Sequence, residues 1–160
     1  MNVTTSHDAE KVWRPREIVE RYRAGERDFR ELHVEGPPGE LDYAFCGADL
    51  GDADFSHSFI IAGFIGAGLR AVRFASANVK TCPFDRADLR NADFSGAAID
   101  AASFEGADLA DSNFDVRRRT GTHIAAANTL GMNAIHPAID ADGAALQVWE
   151  IARFRITHVS

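Results

Sequence analysis

A large apolar residue recurs every five positions between residues 41 and 115. A period of five matches neither the 3.6-residue repeat of an α-helix nor the two-residue alternation of a strand. It predicts a chain that turns a corner every five residues and points one large side chain inward on each side. The predicted inward residues form the structural core: Phe45, Leu50, Phe55, Ile60, Phe64, Leu69, Phe74, Val79, Phe84, Leu89, Phe94, Ile99, Phe104, Leu109 and Phe114.

The type of large residue repeats after every four of these positions. Sorting them by fours gives two columns of phenylalanine, one of leucine and one of isoleucine or valine. Four corners therefore close one coil, and like side chains would stack at the strand spacing of about 4.8 Å. The columns stay pure only if Ile60 and Phe64 are joined by a step of four residues. A second such step is expected from Leu41 to Phe45.

The residue two positions before each large residue is small in most repeats and is most often alanine. The triplets ADL and ADF occur at 48–50, 53–55, 87–89, 92–94 and 107–109. This pattern resembles the pentapeptide-repeat family, whose consensus is roughly A(D/N)LXX. The resemblance implies an all-β solenoid, a right-handed quadrilateral β-helix of about four coils. We expect the core to leave no internal pocket.

The segments on either side of the repeats are predicted to cover the ends of the column, since an open end exposes unpaired backbone. Residues 1–40 form an N-terminal cap with a short helix from Pro15 to Arg23, and 41–115 form the β-helix. An arginine in an inward slot is costly, so the column is expected to end at Arg119. Residues 116–160 form a C-terminal cap that also mediates homodimerisation, through Trp149, Ile151, Phe154 and Ile156. The alternative is a monomer whose tail folds back along the face of Phe59 and Ile65.

The net charge of −7 is unevenly distributed, with −2 in residues 1–40, −7 in 41–115 and +2 in 116–160. An acidic column argues against direct binding of nucleic acid, because phosphate contacts require a basic surface. The resemblance offers a DNA-mimic function, since family members linked to quinolone resistance present an acidic β-helix to DNA gyrase. Against it, Arg70, Arg73 and Lys80 interrupt the acidic column. The run Arg117–Arg119 is either a solvated cluster or a grip for an anionic partner.

Three large apolar residues are predicted to point outward from the column, namely Phe59, Ile61 and Ile65. A contiguous exposed apolar patch is typical of a protein-binding surface. The other interpretation is that a terminal segment covers it. Together with the absence of a catalytic motif, the patch favours a non-enzymatic module that binds another protein.

No cofactor or metal site is predicted, because the histidines are not spaced as ligands. If the chain were an enzyme, its site would use the C-terminal segment, where His123, His136, Asp140 and Asp142 are the available groups. Cys46 and Cys82 are not expected to form a disulfide. The N-terminal sequence lacks the apolar core of a signal peptide, and no stretch reaches the roughly 20 apolar residues of a membrane span. A cytoplasmic location is expected.

Overall fold

The computed structural model describes residues 11–116, 121–123, 127–128, 130 and 132. Its regular elements are strand β1 (Val12–Trp13), helix α1 (Pro15–Arg23), strand β2 (His33–Glu35) and strand β3 (Phe59–Ile61). The three strands are parallel neighbours in the order β1-β2-β3. Each is the rung of a coil, because the chain travels around the molecule before it returns to the same sheet.

Single parallel bridges continue this arrangement on four sides. One ladder runs through Asp49, Gly68, Asp88, Asp108 and Asn128, and a second through Asp28, Asp54, Arg73, Asp93 and Asn113. A third continues from Phe59 to Asn78 and Ala98, and the fourth joins Pro83, Ser103 and His123. From Asp49 onward, successive rungs are 19 or 20 residues apart, as from Asp49 to Gly68 and from Gly68 to Asp88, whereas Asp28 and Asp54 are 26 residues apart. The prediction of a β-helix is confirmed. Its rungs are too short to form longer strands because each side is interrupted by a corner.

The interior is filled by the fifteen large residues named above, each at most 1% exposed. Within one phenylalanine column the rings stack, with centroids 4.7 Å apart for Phe64 and Phe84. Between the two columns the rings meet edge to face, as Phe84 and Phe94 do at 5.7 Å and 88°. Both arrangements suit the ring quadrupole, which disfavours an eclipsed face-to-face sandwich.

The corners share one backbone feature. The second residue after the large one has a positive φ at most corners, and in many repeats it is not glycine, as at Thr81, Arg86 and Asn91. The N–H of the third residue donates to the carbonyl of the large residue, as Ala87 does to Phe84 at 3.1 Å. These are β-turns with a left-handed third residue, a conformation that glycine and asparagine adopt most readily.

The step from Ile60 to Phe64 contains four residues, and both side chains lie in the core. The expected second step from Leu41 is wrong. Val34 is the residue beneath Ile60, since β2 and β3 pair these two, and Leu41 is half-buried outside that register. The connection from Val34 to Phe45 is longer than five residues. Counting back five residues at a time from Phe45 therefore does not lead to Val34.

The lower end of the structure contains α1, whose Ile18 and Val19 join the same buried cluster as the coil. Pro15 opens the helix, and the Arg14 N–H donates to Glu17 Oε2 at 2.8 Å. Both features suit a helix N-terminus. The Tyr22 hydroxyl donates to the carbonyl of Gly51 at 2.9 Å. The stacking extends below residue 41, because Phe29 lies against Phe55 with ring centroids 5.3 Å apart.

At the upper end, the prediction that the column stops at Arg119 is wrong, because main-chain bridges of the ladder occur at later residues. His123 bridges Ser103, Asn128 bridges Asp108, and Thr122 is buried. Gly121 has a φ of +70°, the corner geometry expected two residues after an inward position. Parallel ladders are made by main-chain groups, so a polar side chain at one inward slot need not end them. Arg119 itself lies outside the described residues.

Candidate protein-interaction surface

The acidic residues of the column have a structural role before any functional one. The Asp or Asn before the large residue accepts a hydrogen bond from the N–H two residues later, as Asp93 Oδ1 does from Ser95 at 2.9 Å. The same bond occurs at Asp49, Asp54, Asn78, Asp88, Asp108 and Asn113. This is the Asx-turn geometry, in which the side chain satisfies a backbone donor at the corner. Repeated aspartate therefore follows from the fold.

Three basic residues of the middle coils are paired with acids of the column. Arg73 Nε lies 3.5 Å from Asp54 Oδ2, and Lys80 Nζ lies 3.6 Å from Asp100 Oδ2. Arg90 contacts Asp88 at 2.5 Å and Asp108 at 3.8 Å on the next coil. The Arg90 guanidinium, through its hydrogen bond, holds the pKa of Asp88 below its usual range. These pairs place positive charge within the acidic surface.

The three predicted outward residues lie near one another on the lower coils. Phe59 is 39% exposed, and Ile61 and Ile65 are half-buried. Phe59 packs edge-on against His33 of β2, with ring centroids 4.9 Å apart. Phe59 and Ile61 share the outer face of β3, while Ile65 follows around the corner after Phe64. The structure thus places an apolar surface across one corner of the coil.

Tyr43 holds the position two residues before Phe45, which is small in most repeats, and it is 59% exposed. A Cβ added to Gly63 would lie 2.9 Å from Tyr43 Cδ1 and 3.3 Å from Cys46 Sγ. The tyrosine ring therefore lies against the bare backbone of Gly63, two residues before Ile65. Its size was the available signal, because a phenol cannot occupy a slot built for alanine.

The two cysteines are free thiols in different surroundings. Cys82 is fully buried in an inward slot that is usually alanine, and burial raises the pKa of its thiol to about 12. Cys46 is half-buried beside Gly63, whose carbonyl accepts its Sγ–H at 3.3 Å. Burial also raises the pKa of Cys46. Neither group is therefore suited to act as a thiolate nucleophile at neutral pH.

Several predicted site residues lie outside the described residues. They are the self-association set Trp149, Ile151, Phe154 and Ile156, the basic run Arg117–Arg119, and the acid–base candidates His136, Asp140 and Asp142. His123, the fourth acid–base candidate, is exposed at the rung above Ser103. Within the described ranges, no group of three histidine, cysteine or acidic residues is placed to hold a metal ion. No helix in that part of the chain is long and apolar enough to cross a bilayer.

The repeating coil, its phenylalanine columns and its Asx-capped corners define a repeat solenoid, a class in which each coil contacts only its neighbours. A sequence model of pentapeptide repeats matches eight copies in this chain, over residues 67–106 and 87–115. The repeat segment belongs to the pentapeptide-repeat family, and the resemblance inferred from the ADL and ADF triplets is confirmed. The family fold is a right-handed β-helix. None of the curated proteins compared with the chain matches it.

Solved structures of pentapeptide repeat proteins are similar to this chain. Rfr23 from the cyanobacterium Cyanothece 51142 is 17% identical with a TM-score of 0.39, over 54% of this chain and 63% of Rfr23. A pentapeptide repeat protein of the Arabidopsis thaliana thylakoid lumen is 25% identical with a TM-score of 0.40, over 71% of this chain and 83% of that protein. QnrB1, a plasmid-mediated fluoroquinolone resistance protein, is 15% identical with a TM-score of 0.29, over 78% and 77%.

Proposed function

We propose that this protein is a non-enzymatic module that binds another protein through Phe59, Ile61 and Ile65. The observation that carries the proposal is the exposure of Phe59, 39% of whose surface is open on a regular β-ladder where polar residues would serve the fold equally well. A large apolar side chain held in water by a rigid backbone favours association, because burying it stabilises a complex by roughly 25 cal/mol per Å².

The interior of the column supports a binding role over catalysis. Catalysis requires polar groups that converge in a concave site, whereas this interior is occupied by stacked apolar side chains. The outward polar groups of the coil are largely engaged in corner hydrogen bonds and ion pairs. An enzyme would therefore need a site built from the C-terminal segment. Of the acid–base candidates there, His123 is the one that lies within the described residues.

The experiment compares capture of partners from a lysate of the source organism by the full-length protein and by a Phe59→Ser, Ile61→Ser, Ile65→Ser variant. We expect a partner that the wild-type protein retains and the variant loses, with both proteins showing the same thermal unfolding midpoint. Equal capture by the two proteins would contradict binding through this surface.

A second candidate is a DNA mimic that binds DNA gyrase or a related topoisomerase. The observation that favours it is the excess of acids in residues 41–115, which contain 12 acidic and 5 basic residues. Seven net charges over a column of about 18 Å give one charge per roughly 2.6 Å, against about 1.7 Å in duplex DNA. Arg73, Lys80 and Arg90, already subtracted in this net charge, lie within the acidic surface and pair with its acids. The negative charge is therefore both sparser and less continuous than in DNA, so we rank this function second.

The gyrase hypothesis is tested by adding the purified protein to a supercoiling assay with and without a quinolone. Inhibition of supercoiling, or protection from the drug, would support the hypothesis and should weaken as salt screens the acidic surface. Absence of any effect at tens of micromolar protein would remove it. Direct binding to DNA is not expected.

A further inference from the structure

The apolar surface at the corner of the coil consists of four side chains around Gly63. What we infer about its partner rests on the function proposed above. We define the corner surface as Tyr43, Phe59, Ile61 and Ile65. It surrounds Gly63, where the coil takes its four-residue step. Because an added Cβ at Gly63 would lie 2.9 Å from Tyr43 Cδ1, glycine is what allows the tyrosine ring to lie this close to the backbone.

Main-chain hydrogen bonds fix the parts of the corner surface relative to one another. The Gly63 N–H donates to the carbonyl of Asp42 at 2.8 Å, which places Tyr43 next to the step. The Gly47 N–H donates to the carbonyl of Ile65 at 3.0 Å. On the other side, β3 carries Phe59 and Ile61 in register with β2. A preorganised surface of this kind binds with little loss of conformational entropy.

The rim of the corner surface is acidic. Glu35 pairs in register with Ile61, Asp42 precedes Tyr43, and Glu40 is exposed in the preceding connection. Asp85 lies on the coil above Ile65, where its carbonyl accepts the Gly66 N–H at 2.8 Å. Asp85 Oδ1, however, accepts from Ser103 Oγ and from the Glu105 N–H at 2.9 Å, so its carboxylate is directed to the next coil. Glu35, Glu40 and Asp42 are therefore the acids beside a surface whose own four side chains carry no charge.

The basic groups nearby offset these acids only in part. Arg14 Nη1 donates to the carbonyl oxygens of Glu35 and Gly36. Lys80, on the coil above Ile61, lies 3.6 Å from Asp100. His33, which adjoins Phe59, has its Nε2 3.0 Å from Glu35 Oε2. Because the carbonyls that Arg14 contacts are neutral, its positive charge remains and offsets one of the three carboxylates of Glu35, Glu40 and Asp42. The rim therefore keeps a smaller excess of negative charge.

We propose that the corner surface binds a segment of a partner protein that has an apolar centre flanked by lysine or arginine. Its apolar centre covers Tyr43 and Phe59, and its basic flanks meet Glu35, Glu40 and Asp42. An apolar core with a polar rim is the usual anatomy of a protein interface, and complementary rim charges set specificity and association rate. Nucleic acid is a poor occupant because its phosphates would face the same carboxylates.

The test is selection of a random-peptide phage library on the immobilised full-length protein, followed by affinity measurement on the enriched sequences. We expect peptides with apolar residues flanked by lysine or arginine. Tyr43→Ser and Phe59→Ser should each weaken the consensus peptide by about tenfold or more, the loss expected for an interface hot spot. Glu40→Lys, which changes an exposed side chain, should weaken it too and reduce the salt dependence of binding.

Leu130→Ser serves as the matched control, because Leu130 is 67% exposed at the far end of the coil and should not affect binding. Enrichment of acidic or uncharged peptides, no enrichment at all, or unchanged affinity in Tyr43→Ser and Glu40→Lys would overturn the proposal. Peptides lost on Phe59→Ser but lacking basic flanks would overturn this inference alone. Peptides that bind Phe59→Ser and the wild-type protein equally would count against the proposed function as well.

Discussion

Phe84 and Phe104 stack on adjacent coils with ring centroids 5.0 Å apart and ring planes within 3° of parallel. The same relationship joins Phe45 to Phe64 at 4.8 Å and Phe64 to Phe84 at 4.7 Å. The ring spacing follows the strand spacing of about 4.8 Å, so the aromatic column and the backbone ladder reinforce each other. Stability in such a solenoid depends on each coil being covered by the next.

A charge placed in this column should prevent cooperative folding. Phe94 lies between Phe74 and Phe114 with no exposed surface, so Phe94→Asp buries an unpaired carboxylate at a cost of several kcal/mol. We expect loss of a cooperative transition in circular dichroism on heating. Asp93→Asn is the control, since an amide oxygen can accept the Ser95 N–H as the carboxylate does. A cooperative Phe94→Asp variant would contradict the packed column.

Removing the charge of Asp88 should change how stability depends on pH. Its pKa is lowered, chiefly by the hydrogen bond from Arg90, so its ionised form stabilises the fold. This contribution is complete above the unfolded-state pKa of about 3.9 and is lost as the pH falls through the lower folded-state pKa. Asp88→Asn should therefore lower the free energy of unfolding at pH 7. The difference from the wild-type protein should close in acid, as measured by urea titration at several pH values.

Relieving the corner strain at Thr81 should stabilise the protein. Thr81 has a φ of +59°, a conformation that β-branched residues adopt rarely. Thr81→Gly should raise the free energy of unfolding by up to about 1 kcal/mol, the balance of relieved strain against greater chain entropy. The matched control is Ser95→Gly. Ser95 is not among the residues with positive φ, so this substitution relieves no strain and should lower the free energy of unfolding. Denaturant titration of both variants distinguishes the two outcomes.

The two thiols should report on opening of the column. Cys82 is buried with a pKa raised to about 12, so an alkylating reagent at pH 8 should reach it only when the coil opens. Cys46, which is half-buried, should react faster than Cys82 but more slowly than a fully exposed cysteine. Mass spectrometry of the labelled protein assigns each site. Rapid native labelling of Cys82 would contradict its placement in the core.

Self-association through residues 116–160 remains a prediction. Light scattering of the full-length protein should give a dimer of about twice the 17.4 kDa chain mass. Trp149→Ala with Phe154→Ala should return it to the monomer, because truncating large apolar side chains removes the contact. A mass near that of one chain at high micromolar concentration would reject the dimer. A dimer that survives the double substitution would direct attention to Ile61 and Ile65.

The sequence by itself determined the coil. A period of five with a cycle of four left one arrangement for Phe45 to Phe114, and Asp93 and its equivalents were recognisable as corner residues. These features are local and recur in successive repeats, so the pattern can be recognised from the sequence without the tertiary structure.

Only the tertiary structure decided where the regular coil meets irregular chain. Val34 replaces Leu41 beneath Ile60, the ladder continues from Ser103 to His123, and Tyr43 lies on Gly63 instead of pointing inward. Each depends on a contact between segments about 20 residues or more apart, and such a contact leaves no periodic trace along the chain. Main-chain bridges can also form regardless of the side chain, so the letters alone could not show where the ladder ends.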